Sequence, residues 1–255
     1  MTVPKPVFIL LAFFLLPREL QAQKYQASDF VETQLPKPNS EEWRQFLDGA
    51  YDFKVSIKKH ELRLKYWDSN DRDWVIELFV DHGQIIGIDN GEFGGELKFI
   101  DDADNVTVIE KGNIRYLFGY KHEIYFMESL YNFKSFYDEF KNYKGILFKL
   151  VWKDGGYTSQ KILDFDEEPG GMFILNGDIL ISTWNYLYRI HNLEKEVIFD
   201  LQKEGIFKNI LNQEIFFNSV AATDEHHVYT GTRAGYLQFD LANKSYKYYK
   251  YKKSR

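Results

Sequence analysis

The sequence predicts an all-β fold, a β-propeller of four to five four-stranded antiparallel blades with a short N-terminal helix. Three observations lead to it. From Phe53 onward apolar and polar residues alternate, as in Phe53-Lys54-Val55-Ser56-Ile57 and Leu62-Arg63-Leu64-Lys65-Tyr66, the period of half-buried strands. Short apolar runs are separated by Gly, Asn and Asp turns about every 8–12 residues, with no long helical pattern between them. One layout (strand, tight polar turn, strand, polar loop, strand) recurs four times along the chain.

At the N-terminus, Val7 to Leu16 is an unbroken run of ten apolar residues behind Lys5, closed by Pro17. Ten residues are too few to cross a bilayer, which takes about 20. The run suits the h-region of a signal peptide, with Ala22 as the small residue before the cut. Residues 1–22 are therefore read as an export signal. The mature chain is expected in the periplasm or outside the cell, without stable membrane insertion. Residues 23–49 read as a leader: a polar stretch with Pro36 and Pro38, then a short helix. Ser40 can cap that helix, Glu41 and Glu42 suit its positive end, and Gly49 can stop it. Trp43, Phe46 and Leu47 share one side of it and can pack on the main domain, residues 50–255.

The four repeats follow the strand pair at 53–66. The first runs through Val75–Val80, Gln84–Ile88 and Glu96–Ile100, the second through Ile114–Phe118, Glu123–Phe126 and Gly145–Leu150. The third runs through Met172–Leu175, Asp178–Ser182 and Tyr186–Ile190, the fourth through Ser219–Ala222, His227–Gly231 and Gly235–Asp240. A fourth strand closes each unit, at Val106–Ile109, Gln160–Phe165, Glu196–Asp200 and Ser245–Tyr251. The second strands recur at Ile85, Ile124, Ile179 and Val228, intervals of 39, 55 and 49 residues. Four antiparallel strands in about 40–50 residues is the period of a propeller blade.

The segment Val228-Tyr229-Thr230-Gly231-Thr232-Arg233-Ala234-Gly235-Tyr236-Leu237-Gln238-Phe239-Asp240 resembles a blade of the bacterial propellers found in sensor and quinoprotein-like proteins. Those blades run as an apolar strand, Gly-Thr, two residues, Gly-Leu and an aromatic-Asp ending. Ile181-Ser182-Thr183-Trp184-Asn185-Tyr186-Leu187-Tyr188-Arg189 is similar, with Ser182 in place of the Gly. The first two repeats match only in outline. The resemblance implies architecture and is nearly silent about chemistry, because propellers host many unrelated functions.

Composition narrows the function classes. With 22 Phe, 18 Tyr and 44% hydrophobic residues the chain can build a large core. The absence of Cys removes disulfides, thiol nucleophiles and Cys-based zinc sites. The net charge is −6; without residues 1–22 it is −7, and the body before the basic tail Lys244–Arg255 carries about −13. Such a body disfavours nucleic acid as a partner.

No catalytic set, metal site or cofactor motif is legible. None of the six His forms an HExxH, and His226 and His227 are adjacent, so a strand sends them to opposite faces. Asp101-Asp102-Ala103-Asp104-Asn105 lacks the Gly of a calcium loop and reads as a turn. Asp164, Asp166, Glu167 and Glu168 cluster before Pro169 and read as solvated acids of a loop. The tail Lys244–Lys253 mixes cations with aromatics and reads as an outer edge strand guarded by Lys. Ser129–Lys144 is an insertion between the second and third strands of its repeat. Leu130, Phe133, Phe136, Tyr137 and Phe140 fall on one helical face there.

In a propeller the loops joining second to third strands emerge on one face. The binding residues expected there are Asp89, Asn90 and Glu92 from the first repeat. Glu128, Tyr131 and Phe133 come from the second, Trp184 and Asn185 from the third, and Arg233 from the fourth. The function expected is an exported, non-catalytic binding or protein-interaction module, able to occlude a partner protein, with a protein or small-molecule ligand on the loop face. The alternative is a propeller hydrolase or lyase with its site in the central funnel.

Overall fold

The structure, a computed structural model, describes residues 24–37, 40–41, 52–66, 75–131, 143–201, 203 and 217–252. Residues 1–22, read as an export signal, most of residues 40–49, read as a helix, Phe133 and the middle of the aromatic insertion lie outside the described residues.

Among the described residues the fold is all-β with almost no helix, and single-turn 3₁₀ segments lie at Ala27–Asp29 and Gly91–Phe93. Five antiparallel sheets account for the strands among the described residues. The first is β5 (Val75–Val80), β6 (Gly83–Asp89), β7 (Gly95–Asp101) and β8 (Val106–Lys111). The second is β9 (Asn113–Tyr120), β10 (Glu123–Tyr131), β11 (Tyr143–Lys153) and β12 (Gly156–Phe165). The third is β13 (Gly171–Leu175), β14 (Asp178–Ser182), β15 (Tyr186–His191) and β16 (Glu194–Asp200). The fourth is β17 (Ser219–Ala222), β18 (His227–Thr232), β19 (Gly235–Asp240) and β20 (Ser245–Tyr251), extended by β2 (Phe30–Thr33). The fifth is β3 (Phe53–Lys58), β4 (Glu61–Tyr66) and β1 (Lys24–Tyr25). Within each of the first four sheets, consecutive strands pair in chain order, as the repeat predicts.

Tight hairpins explain that regularity. Lys59-His60, Lys121-His122, Asp154-Gly155, Asn176-Gly177 and Asn192-Leu193 each place two successive residues at positive φ. That is the backbone of a two-residue turn whose twist matches the strands on either side.

Neighbouring sheets stack face to face. Ile85, Leu97 and Phe99 of the first sheet pack on Ile114, Phe126 and Leu150 of the second. Phe118, Tyr125 and Leu147 then meet Ile179, Ile181 and Ile190 of the third. Leu180 and Leu187 meet Val220, Val228 and Leu237 of the fourth. Phe53, Val55 and Leu64 of the fifth meet Ala221 and Tyr236, with Phe30 beside them. First strands lie beside one another, β5 by β9, β13 by β17 and β17 by β3.

Three sequence expectations change. Part of the segment read as a leader is sheet: β1 pairs with β4, and β2 pairs with β20. The basic strand β20 is therefore not an outer edge, because β2 covers it and Glu32 takes the Lys247 ammonium at 3.0 Å. The insertion is strand rather than helix at both ends, where Ser129, Leu130 and Tyr131 pair with Gly145, Lys144 and Tyr143. The pairing of β10 with β11 outruns the local helical spacing of Leu130 and its neighbours.

Candidate functional site

Buried polar side chains among the described residues are concentrated at one end of the sheets, where second strands finish and first strands begin. Register fixes this common end: Asn113 is opposite Ser129, Gly171 opposite Ser182, and Ser219 opposite Gly231. Asp89 finishes β6 at the equivalent place. Buried polar residues here include Asp89, Asn113, Glu128, Ser129, Glu168, Ser182, Thr183, Asn185, Asn218, Ser219, Thr230 and Thr232. Together they form a belt across the sheets.

The belt starts at the first sheet. Asp89, 1% exposed, accepts the Gly91 N–H at 2.9 Å and pairs with Arg115 Nη1 at 2.9 Å. Arg115 Nη2 reaches onward to Glu168, just before the third sheet. Asn113 accepts the Asn90 N–H at 3.2 Å and donates to the Gly91 carbonyl at 2.6 Å. The β6–β7 loop is thus held by residues of the next sheet. Glu167 does the same for the third sheet's loop. Its Oε2 accepts from the Thr183 hydroxyl and the Asn185 N–H, each at 2.7 Å, and its Oε1 accepts from the Asn185 amide.

The belt continues into the fourth and fifth sheets. Asn218 N–H donates to the Gly231 carbonyl at 3.1 Å, and Ser219 Oγ donates to Asn218 Oδ1 at 2.9 Å. Ser219 Oγ also accepts the Val55 N–H at 2.9 Å, tying the fifth sheet to the fourth. A Cβ on Gly231 would run into the Phe53 carbonyl and Ser219, so glycine permits this close approach. Asp52 forms an isolated antiparallel bridge with Arg233. Burial raises the Asp52 carboxyl above the usual range, and the Arg233 charge partly offsets that rise.

Glu128 is a separate feature of this end. Only 4% of it is exposed, and its carboxyl lies over Gly112, where a Cβ would strike it. Burial, with a smaller contribution from the Glu110 charge, pushes it up to about 7. Glu110 itself accepts the Ser159 hydroxyl at 2.6 Å.

The expected binding residues fall into distinct environments. Asp89, Glu128 and Asn185 are buried, and Asp89 and Asn185 hold loops. Asn90 precedes the 3₁₀ turn that contains Glu92, and Tyr131 ends β10. Trp184 is half-buried in the short β14–β15 loop, and Arg233 is half-buried beside Asp52. Arg115 and Glu168 connect the first sheet to the start of the third, and Glu167 connects that start to Asn185. The sequence reading missed Asp52, Asn113 and Arg115. It also took Glu167 and Glu168 for solvated acids, whereas Glu168 is buried on Arg115 and Glu167 caps a loop. Their place directly before Pro169-Gly170-Gly171, where the chain turns into a first strand, was the available signal.

Asp101 Oδ1 accepts the Ala103 and Asn105 N–H groups, which makes that acidic stretch a turn. Among the described residues no group of three His, Asp or Glu side chains is placed to hold a metal ion. No helix among them is long and apolar enough to cross a membrane.

No family model matches the chain, and no curated protein does. Among solved structures, the crystal structure of the tricorn protease is similar at a TM-score of 0.39 and 8% identity over 78% of this chain. The match spans 26% of that protein's chain.

Proposed function

We propose that the five sheets are blades of an open, propeller-like ring, and that the chain is an exported, non-catalytic binding module. Its loop face engages a protein or small-molecule ligand and can occlude a partner protein. Export rests on the signal-like run at Val7 to Leu16, and the acidic body favours cationic partners at long range.

The observation that carries the reading is how the belt uses its charges. Asp89 and Glu167 accept from fixed donors in the β6–β7 and β14–β15 loops, and Arg115 of β9 pairs with both Asp89 and Glu168. A general acid or base has to exchange its proton with a substrate. Asp89 and Glu167 instead hold the β6–β7 and β14–β15 loops in place, which pre-organises a surface for binding. Trp184 and Arg233 are the half-buried residues on it of the types that most often dominate interface energy.

Glu128 favours a second reading, a hydrolase or lyase. A buried carboxyl that titrates near neutrality beside Glu110 is the kind of group acid–base chemistry employs.

The test is retention of partners from the exported fraction on wild type, Trp184→Ala and Arg233→Ala, followed by affinity measurement on whatever is retained. At a true hot spot each truncation weakens binding by about 1 kcal/mol or more. Equal affinity for all three folded proteins defeats this placement of the face. An exported-fraction substrate whose turnover is lost in Glu128→Gln selects the enzyme reading.

A further inference from the structure

We propose that the interface between the third and fourth sheets holds a hydroxylic ligand, supplied by ordered water or by the hydroxyls of a small polyol. Three hydroxyl groups at one end of that interface carry the inference. Ser182 is the last residue of β14, and Thr230 and Thr232 close β18. Side chains alternate along a strand, so Ser182 shares the face of Leu180, and Thr230 and Thr232 share that of Val228. Leu180 and Val228 belong to the same apolar cluster between the two sheets. The three hydroxyls therefore point into one interface from opposite sides.

The glycines before β14 bring the two sides together. A Cβ on Gly170 would strike the Phe217 carbonyl, and one on Gly171 would strike Ser219 and Val220 backbone. Backbone thus rests on backbone where β13 meets β17. Ser182 is opposite Gly171, and Thr230 is opposite Val220, so both flank this contact.

Ser182, Thr230 and Thr232 are each 0% exposed. Ser182 Oγ, Thr230 Oγ1 and Thr232 Oγ1 make no hydrogen bond to the protein. Buried polar groups are almost always hydrogen-bonded, because leaving one unsatisfied is costly. Valine in place of either threonine would fill the same space without that cost. Three such groups in one place mark a binding site for something other than the chain itself.

Their chemistry selects the ligand. Hydroxyls both donate and accept, so the ligand can do either. All three groups are neutral, which fits a neutral ligand rather than a carboxylate or phosphate. Enclosure by fully buried side chains limits it to a few heavy atoms, as for a cluster of waters with two to four polar partners each. The inference does not depend on the loop face binding a partner.

The experiment uses the full chain in two arms. Water-oxygen magnetic relaxation dispersion detects long-lived internal water, and saturation-transfer NMR with glycerol detects polyol binding. Thr230→Val and Thr232→Val are compared with wild type in both, alongside thermal melts. The expected result is a signal in at least one arm that decreases in both variants, with Tm lowered by about 2–4 °C per lost hydroxyl. The water arm and the glycerol arm distinguish the two sources. Absence of both signals in wild type, or a signal unchanged in both variants, overturns the proposal. Because Thr→Val preserves shape, these variants keep the fold and the test stays decisive.

Discussion

At the residue scale, buried charge is tolerated only where partners are built in, and this chain shows both cases. Arg115 neutralises Asp89 and Glu168 at once. Arg115→Ala would leave two buried carboxylates without their cation, and unfolding free energy should fall by about 3–5 kcal/mol in a denaturant titration. Glu128 lacks such a cation: burial, and then Glu110, favour its protonated form up to about 7. The unfolded chain releases that proton at the usual carboxylate value, so the folded state binds the extra proton in between. Stability from this group is complete below about pH 4.5 and declines as pH rises to about 7. Above that it stays reduced, by about 3 kcal/mol at most. Glu128→Gln should thus gain stability over wild type progressively between those pH values, read as a difference in urea midpoints. A difference independent of pH would refute the cause.

At the element scale, much of the fold was legible because turn chemistry and strand alternation agree. Asn176-Gly177 announced its hairpin, and the repeats located each of β5 to β20, although β10, β11 and β12 run four or five residues beyond the segments read. The pairing of Lys24–Tyr25 and Phe30–Thr33 was not legible, since strands of two and four residues carry too little alternation to register as a pattern. The belt was only half legible. Its 2–3 loop residues were found from the repeat. Asn113, Arg115 and Glu167 escaped because their partners are distant in sequence and only the sheet packing brings them close. The strands joined at Lys59-His60 and Lys121-His122 were read, but not the geometry of those turns, because neither residue type announces positive φ. Such residues adopt the left-handed region at some cost. Replacing Lys59-His60 with Asn-Gly should therefore raise stability by roughly 1 kcal/mol, measured as a higher melting temperature. No gain would mean that the exposed Lys59 and His60 side chains offset the strain.

At the scale of the whole molecule, the sheets stack in the order first, second, third, fourth, fifth, and the two outer faces differ in kind. The first sheet exposes Val75, Val106 and Val108, with Phe79 78% exposed. The fifth turns Lys54, Ser56 and Lys58 away from its core, opposite Lys65, Arg63 and Glu61. Among the described residues no core cluster joins the first sheet to the fifth. The opposite junction is built differently. N-terminal β3 packs on C-terminal β17, Ser219 holds Val55, and Asp52 bridges Arg233. Because the chain has no native Cys, this long-range junction can be tested without ambiguity. Directly opposed antiparallel residues have Cα atoms about 4.5–5.5 Å apart, inside the range a disulfide accepts. Asp52→Cys with Arg233→Cys should form an intramolecular disulfide in the folded protein under mild oxidation, and both members of the charged pair leave together. The cross-link closes a loop of most of the domain and should stabilise it by about 2–4 kcal/mol. Failure to oxidise while folded, or oxidation only in denaturant, would show that the fifth sheet does not dock on the fourth.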